Sequence, residues 1–171
     1  FELRSYAPMI LAEVQEEGDL DEASSRGFRI IAAYIFGQNQ VSQKIVMTAP
    51  VTVEEQSVQS EKIAMTAPVG IESKAGSWTV SFVMPSQYAM EALPKPLNPQ
   101  VKLRQIPAMK RAVITFSGFY NAQKVSEKTM ELEAWMKVRN LRASGTPHFA
   151  RYNPPWTLPW WRRNEVFIPV Q

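Results

Sequence analysis

Leu3–Tyr6 and Met9–Glu16 are short runs that mix apolar and polar residues, with Pro8 between them. Two such runs parted by a proline predict two β-strands separated by a bend. The pattern then changes. Phe28, Ile31, Ala32 and Ile35 recur at helical spacing, which predicts an amphipathic helix with one apolar stripe. Asp19 stands where a side chain can accept from first-turn amides, and Glu22, three residues on, completes a capping-box arrangement. Gly37 lies just past the stripe, where a left-handed residue costs least.

The same succession returns about one hundred residues later. Leu103-Arg104, Pro107 and Ala112 echo Leu3-Arg4, Pro8 and Ala12, and Arg111–Gly118 is a second extended run. A helix is predicted from near Asn121 to about Arg142, with Val125, Leu132, Trp135 and Met136 as its stripe and Gly145 and Pro147 ending it. Each half closes on an apolar strand, Val80–Pro85 in the first and Asn164–Pro169 in the second. Strand, helix, strand, strand, written twice, predicts an α+β fold: two main helices on a curved antiparallel sheet or distorted open barrel. The expected organisation is one internally duplicated domain over residues 1–171, with halves of about 1–98 and 99–171.

A shorter repeat lies inside the first half. Lys44-Ile45-Val46-Met47-Thr48-Ala49-Pro50-Val51 recurs as Lys62-Ile63-Ala64-Met65-Thr66-Ala67-Pro68-Val69, eighteen residues on. Each copy is a β-like run stopped by Ala-Pro, and the polar stretch Glu54–Glu61 separates them as a turn. The pair reads as two adjacent strands that place Met47 and Met65 on one wall. Methionine is a soft, adaptable lining and a weak iron ligand, although core filling is its commoner role.

Composition narrows the chemistry. The net charge of +3 does not argue for nucleic acid as a partner. Its distribution is uneven: residues 1–60 carry four Lys/Arg against nine Asp/Glu, and residues 61–171 carry fifteen against seven. That pattern fits two differently solvated faces, or a basic rim for an anionic ligand. Cysteine is absent, so disulfides and thiolate chemistry are excluded while the redox compartment is left open. The chain opens at Phe1 in strand-like sequence, which suggests a processed start. A cytoplasmic location, or a periplasmic one after removal of an export signal, are both compatible with that.

His148 is the single histidine, which rules out a histidine metal cluster and leaves His148 as the one imidazole available for a metal. No nucleophile elbow, phosphate loop or dinucleotide fingerprint is present. Glu165, in Arg162-Arg163-Asn164-Glu165, reads as an ion-paired or hydrogen-bonded corner before it reads as a catalytic acid. The densest feature is Tyr152–Arg163, with three tryptophans (Trp156, Trp160, Trp161), three prolines and two terminal arginines. Flat aromatic faces beside guanidinium groups suit a flat, anionic, largely apolar ligand. They also suit a membrane interface or a protein partner.

The doubled Lys-Ile-x-Met-Thr-Ala-Pro-Val resembles the SOUL heme-binding protein family, in a form that looks bacterial. So do Phe82-Val83-Met84-Pro85-Ser86-x-Tyr88, Leu93-Pro94-x-Pro96, and the ending Ala150-Arg151-Tyr152-Asn153-Pro154-Pro155-Trp156 … Arg162-Arg163-Asn164-Glu165-Val166. The resemblance spans nearly the whole chain. It implies a duplicated barrel related to gyrase-inhibitor-like effector-binding domains. It also implies heme or porphyrin as the ligand, held in a shallow cleft near the first helix, with no settled catalytic activity. The apolar face of that helix would meet the ring and basic residues the propionates. The residues so implied are Arg26, Phe28, Arg29, Ile31, Ala32, Tyr34 and Ile35, whereas the histidine proposed as axial ligand in some members has no counterpart here; Met47, Met65, Trp160, Arg162 and Arg163 join the candidates on their own chemistry, with His148, Met47, Met65 and Tyr34 as the candidate iron donors. A basic residue toward the end of the helix, seen in some members, is replaced by Ala32-Ala33-Tyr34. The expected function is therefore non-enzymatic binding of a tetrapyrrole. The alternatives are an effector-binding module for another amphipathic small molecule, or a hydrolase using a cleft carboxylate.

Overall fold

A computed structural model describes residues 1–40, 51–55 (backbone only), 77–153 and 156–171. Its elements run β1 (Glu2–Tyr6), β2 (Met9–Glu17), α1 (Leu20–Ile35), β3 (Val51–Glu55) and β4 (Ser77–Val83), then β5 (Lys102–Ile106), β6 (Met109–Phe116), α2 (Ala122–Val138), β7 (His148–Arg151) and β8 (Asn164–Val170). Short 3₁₀ turns occupy Met90–Ala92 and Pro159–Trp161. The octad reading concerns residues that lie, except for Val51, outside the described residues, and Met47 and Met65 are among them.

All eight strands form one antiparallel sheet in the order β1-β6-β8-β7-β3-β4-β2-β5. Exchanging the halves (β1 for β5, β2 for β6, β3 for β7, β4 for β8) returns the same order reversed. The sheet therefore has a pseudo-twofold between β3 and β7, and each half lends its first strand to the other. The register repeats as well: Leu3 pairs with Ala112, and Leu103 with Ala12. The sequence echo between Leu-Arg and the downstream alanine is thus a strand-exchange contact written twice. One expected alignment shifts. Ala12 faces Phe82 and Ala112 faces Ile168, so Phe82 corresponds to Ile168, two residues from the expected Val166. A two-residue slip preserves which face each side chain takes, so the apolar pattern alone could not detect it.

Both helices begin as expected. Asp19 accepts from the Glu22 amide at 2.8 Å, and Asn121 from the Lys124 amide at 2.7 Å. The second helix ends at Val138, short of Arg142, because Asn140 takes a left-handed φ of 56° and stops the spiral before Gly145. α1 packs on β2, β3 and β4, and α2 on β6 and β8. The main core lies between helices and sheet and gathers Ile31 and Ile35 of α1, Val80 and Phe82 of β4, Leu132 and Met136 of α2, Ile114 of β6 and Val166 of β8 into one buried cluster.

The opposite face of the sheet is buried too, since β8 is buried at every position. The sheet curls around that face. Arg104 on β5 acts electrostatically on His148 of β7, although four ladder steps of roughly 4.8 Å each would separate them in a flat sheet. The curl does not close, as β1 and β5 remain unpaired edges among the described strands.

Gly27 sets how closely α1 approaches β4. A Cβ there would sit 2.5 Å from Val80 Cγ2 and 2.6 Å from its Cβ, inside any real carbon contact. Gly27→Ala is therefore expected to lower stability by about 1–2 kcal/mol, overpacking outweighing alanine's helix propensity. A chemical-denaturation midpoint unchanged from the wild type would show that α1 can lift away freely.

Candidate functional site

Four of the five α1 residues expected to line a cleft point elsewhere. Ile31, Ala32, Tyr34 and Ile35 are buried against the sheet. The Tyr34 hydroxyl donates to the Pro94 carbonyl at 2.8 Å, and burial, with Tyr88 adding to it, pushes its pKa up to about 12. The physical reason is the width of the stripe. A helix on one side of a sheet uses its apolar stripe to make the core, so the exposed aromatics here are Phe28 on α1 and Phe36 just past its end, with Arg29 exposed beside Phe28. Phe28 is 39% exposed, and its ring leans on Phe82 with centroids 5.4 Å apart.

Contacts from the second half arrive on that same helix. The Tyr120 hydroxyl donates to Asp21 at 2.9 Å, and Arg151 Nη1 to the Ser24 hydroxyl at 3.3 Å. The Arg151 guanidinium lies 4.6 Å over the Tyr120 ring. Ser24 and Phe28 are four apart, so they share a face of α1. Tyr120 stands on Phe149, with centroids 5.0 Å apart.

The next residues back tie in the tryptophan loop. The Gly118 amide donates to the Pro159 carbonyl at 2.9 Å, and Asn164 Nδ2 to the Gly118 carbonyl at 3.2 Å. Arg162 lies 5.5 Å over the Phe119 ring, and its Nε donates to the Thr157 carbonyl at 2.8 Å. Phe119 and the three loop tryptophans are 64–83% exposed. Tyr120 and Arg151 thus join Asp21 and Ser24 of α1 to the segment that carries Phe119 and the Trp160-Trp161 turn, with Phe28 one helical turn beyond Ser24. Sequence reasoning found its two ends and missed the middle. Phe119, Tyr120 and Arg151 enter through strand pairing between distant segments, and the only local signal was an aromatic pair placed before the Asn121 cap.

The basic candidates divide. Arg29 is exposed and donates from Nε to the Ser25 carbonyl at 3.3 Å. Arg26 is occupied by Glu16 at 2.9 Å and by the Glu17 carbonyl. Arg163 turns to the other face of the sheet, where Nη2 meets Glu165 at 2.7 Å. Glu165 is fully buried there and also accepts from Arg4 at 2.9 Å, Thr115 at 3.2 Å and Tyr152 at 2.5 Å. Burial alone would raise its pKa, but the hydrogen bonds from Tyr152, Arg163 and Arg4 prevail and hold it below the ordinary carboxylate value. Glu165 is the hydrogen-bonded corner expected from its sequence context.

His148 also faces away from α1. It is fully buried, stacked on Phe167 at 4.9 Å, and neither ring nitrogen has a hydrogen-bond partner among the described residues. Burial first, then Arg111 and Arg104, push its pKa well below 6.5, so the imidazole is neutral. No group of three or more metal-binding side chains occurs among the described residues. A separate groove of about 250 Å3 lies between the β1–β2 bend and the segment after β4, lined by Met9, Met84, Tyr88, Met90 and their neighbours.

Comparison with known proteins agrees with this architecture. A family model described as SOUL heme-binding protein matches residues 1–169. Human heme-binding protein 2 is 30% identical over 172 residues, covering 98% of this chain and 77% of that protein, and the mouse protein is similar to the same degree. Among solved structures, the C-terminal domain of EcmrR is similar with a TM-score of 0.67 at 10% identity, covering 99% of this chain and 96% of that one. A Listeria innocua structure titled as a hydrolase gives a TM-score of 0.60 at 14% identity, covering 99% and 92%. SAV2435 bound to tetraphenylphosphonium gives 0.52 at 10%, covering 99% and 93%. At these identities the solved structures show the shared fold alone.

Proposed function

Because this chain belongs to the SOUL heme-binding protein family, we propose that it binds heme or a related tetrapyrrole on the surface running from Phe28 to the tryptophan loop, without transforming it. The observation that carries this reading is the set of exposed aromatic faces on α1 and on the two hydrogen-bonded loops beside it: Phe28 on the helix, and Phe119, Trp160 and Trp161 on the loops. Covering roughly 300 Å2 of apolar surface at about 25 cal/mol per Å2 gives a gross gain of about 7 kcal/mol. Association costs of about 4 kcal/mol or more offset most of it, so affinity is micromolar or weaker. Arg29 and Arg151 are best placed for the propionates. Arg26 and Arg163 are already engaged by carboxylates.

The described residues fit the ring and its carboxylates and do not fit an axial iron ligand. Tyr34 and His148 are sealed in the interior, and Met47 and Met65 lie outside the described residues. Binding in this reading is a matter of stacking and charge. Free-base protoporphyrin is then expected to bind within about threefold of hemin, a difference under 1 kcal/mol.

Titration of tryptophan fluorescence and Soret absorbance tests the site. Truncating Phe28, Trp160 and Trp161 together to alanine should weaken porphyrin binding by about tenfold or more, as each aromatic contact supplies roughly 0.5–1.5 kcal/mol. An unchanged dissociation constant would overturn the placement. A second reading, an effector module for amphipathic ions, is favoured by the shared fold of the tetraphenylphosphonium-bound protein. Saturable tetraphenylphosphonium binding with no saturable porphyrin binding would replace the first reading by the second. Glu165 does not suit a hydrolase acid, since four side chains hold it as a carboxylate.

A further inference from the structure

On the sheet face away from the helices, four flat groups stand side by side across neighbouring strands: Tyr6 on β1, Arg111 on β6, Phe167 on β8 and His148 on β7. The Arg111 guanidinium lies 4.5 Å from the Tyr6 ring centre and 4.3 Å from that of Phe167, and Phe167 stacks on His148 with planes 7° apart. Arg111 is 4% exposed. Its Nε points at the Met109 sulfur, 3.1 Å away, and its Nη2 is buried with no hydrogen-bond partner among the described residues.

A buried guanidinium of this kind needs a counter-charge. Three carboxylates described on this face are committed elsewhere. Glu2 pairs with Arg4 at 2.6 Å, Glu13 with Arg104 at 2.7 Å, and Glu165 with Arg4 and Arg163. Among the described residues, Tyr6 and Tyr152 are the groups that offset the burial of Arg111, and no Asp or Glu does. None of these ion-paired carboxylates is therefore paired with Arg111. Aromatic rings cover both faces of its plane, so a new partner can approach only from the edge. Edge-on approach to a guanidinium is the geometry of an oxyanion. His148 adds a second pair of unpartnered buried nitrogens to the same interior.

We propose that the interior of the curled sheet contains a small-oxyanion site in the plane of Arg111, separate from the aromatic surface on α1. The unpaired edge of β1, which carries Tyr6 and Arg4, gives the route in. The ion neutralises the buried Arg111 guanidinium, so its binding stabilises the fold by mass action.

Inorganic phosphate is the probe. In side-chain 15N NMR of the wild-type protein, the Arg111 Nε and Nη signals are expected to shift saturably with phosphate, while chloride at matched ionic strength leaves them in place. Thermal denaturation should show a phosphate-dependent rise in midpoint that Arg111→Met removes, with phosphate affinity lowered by about tenfold or more on loss of the charge-assisted contact. The NMR arm needs no variant and stands even if Arg111→Met folds poorly. Absence of a saturable Arg111 shift in the wild type, or an equal midpoint rise in Arg111→Met, would overturn the site.

Discussion

Glu165→Ala is expected to lower stability by about 3–5 kcal/mol, the range for breaking a buried ion pair from one side. At roughly 2–4 °C per kcal/mol for a chain of this size, the thermal midpoint should fall by about 10 °C. Loss of the carboxylate strands the Tyr152 hydroxyl and releases Arg4 and Arg163, which come from opposite ends of the chain. Glu165→Gln should recover part of the loss, because an amide oxygen can still accept from Tyr152 or Thr115. A midpoint within 2 °C of the wild type for Glu165→Ala would mean that the corner is dispensable. The same group shapes the acid limb. Its folded pKa is depressed, so its contribution is complete above the unfolded value of about 4.3 and disappears as pH falls through the lower folded value. His148 acts in an earlier window. Its folded pKa is also depressed, so the contribution of keeping it neutral is complete above about 6.5 and declines as pH falls below that. Stability measured against pH should therefore begin to decline below about 6.5, and Glu165→Ala should flatten only the portion below about 4.3.

Phe149→Ala should be comparably severe, at about 3–5 kcal/mol. Phe149 is fully buried on β7, with Phe116 at 6.2 Å and Tyr120 at 5.0 Å between ring centroids. β7 pairs with β3 and β8 at the middle of the sheet, so the cavity would open where the two halves join. Tyr120 rests on this ring and bonds to Asp21 of α1. Porphyrin affinity should therefore fall along with stability, whereas a core truncation under α2 such as Leu132→Ala should lower stability alone. Equal porphyrin affinity in Phe149→Ala and the wild type, measured where both are folded, would separate Tyr120 from the binding surface.

The element order, both helix caps and the duplication were legible in the sequence because each depends on residues close together. Asp19 reads three positions ahead, and the Leu3-Arg4 echo at Leu103-Arg104 needs only a comparison of the chain with itself. The helix stripe was legible as apolar, but its destination was not. Phe28, Ile31 and Ile35 share one period, and only the position of the sheet leaves Phe28 at the surface while burying the other two. The same limit applied to the arginines. Arg26 and Arg163 look alike in sequence to Arg29 and Arg151, and the difference is which carboxylate the fold carries to them.

By itself the sequence determined that two copies of one strand-and-helix unit exist, where the helices start, and that Glu165 belongs to a charged corner. These follow from local hydrogen bonding and from side-chain period, which act over a few residues. The tertiary structure alone decided that each half lends its first strand to the other, and that Phe119, Tyr120 and Arg151 join α1 to the tryptophan loop. It also decided that Arg111 and His148 face an interior rather than solvent. Those outcomes depend on the register and curl of the sheet, which bring together residues that no spacing along the chain relates.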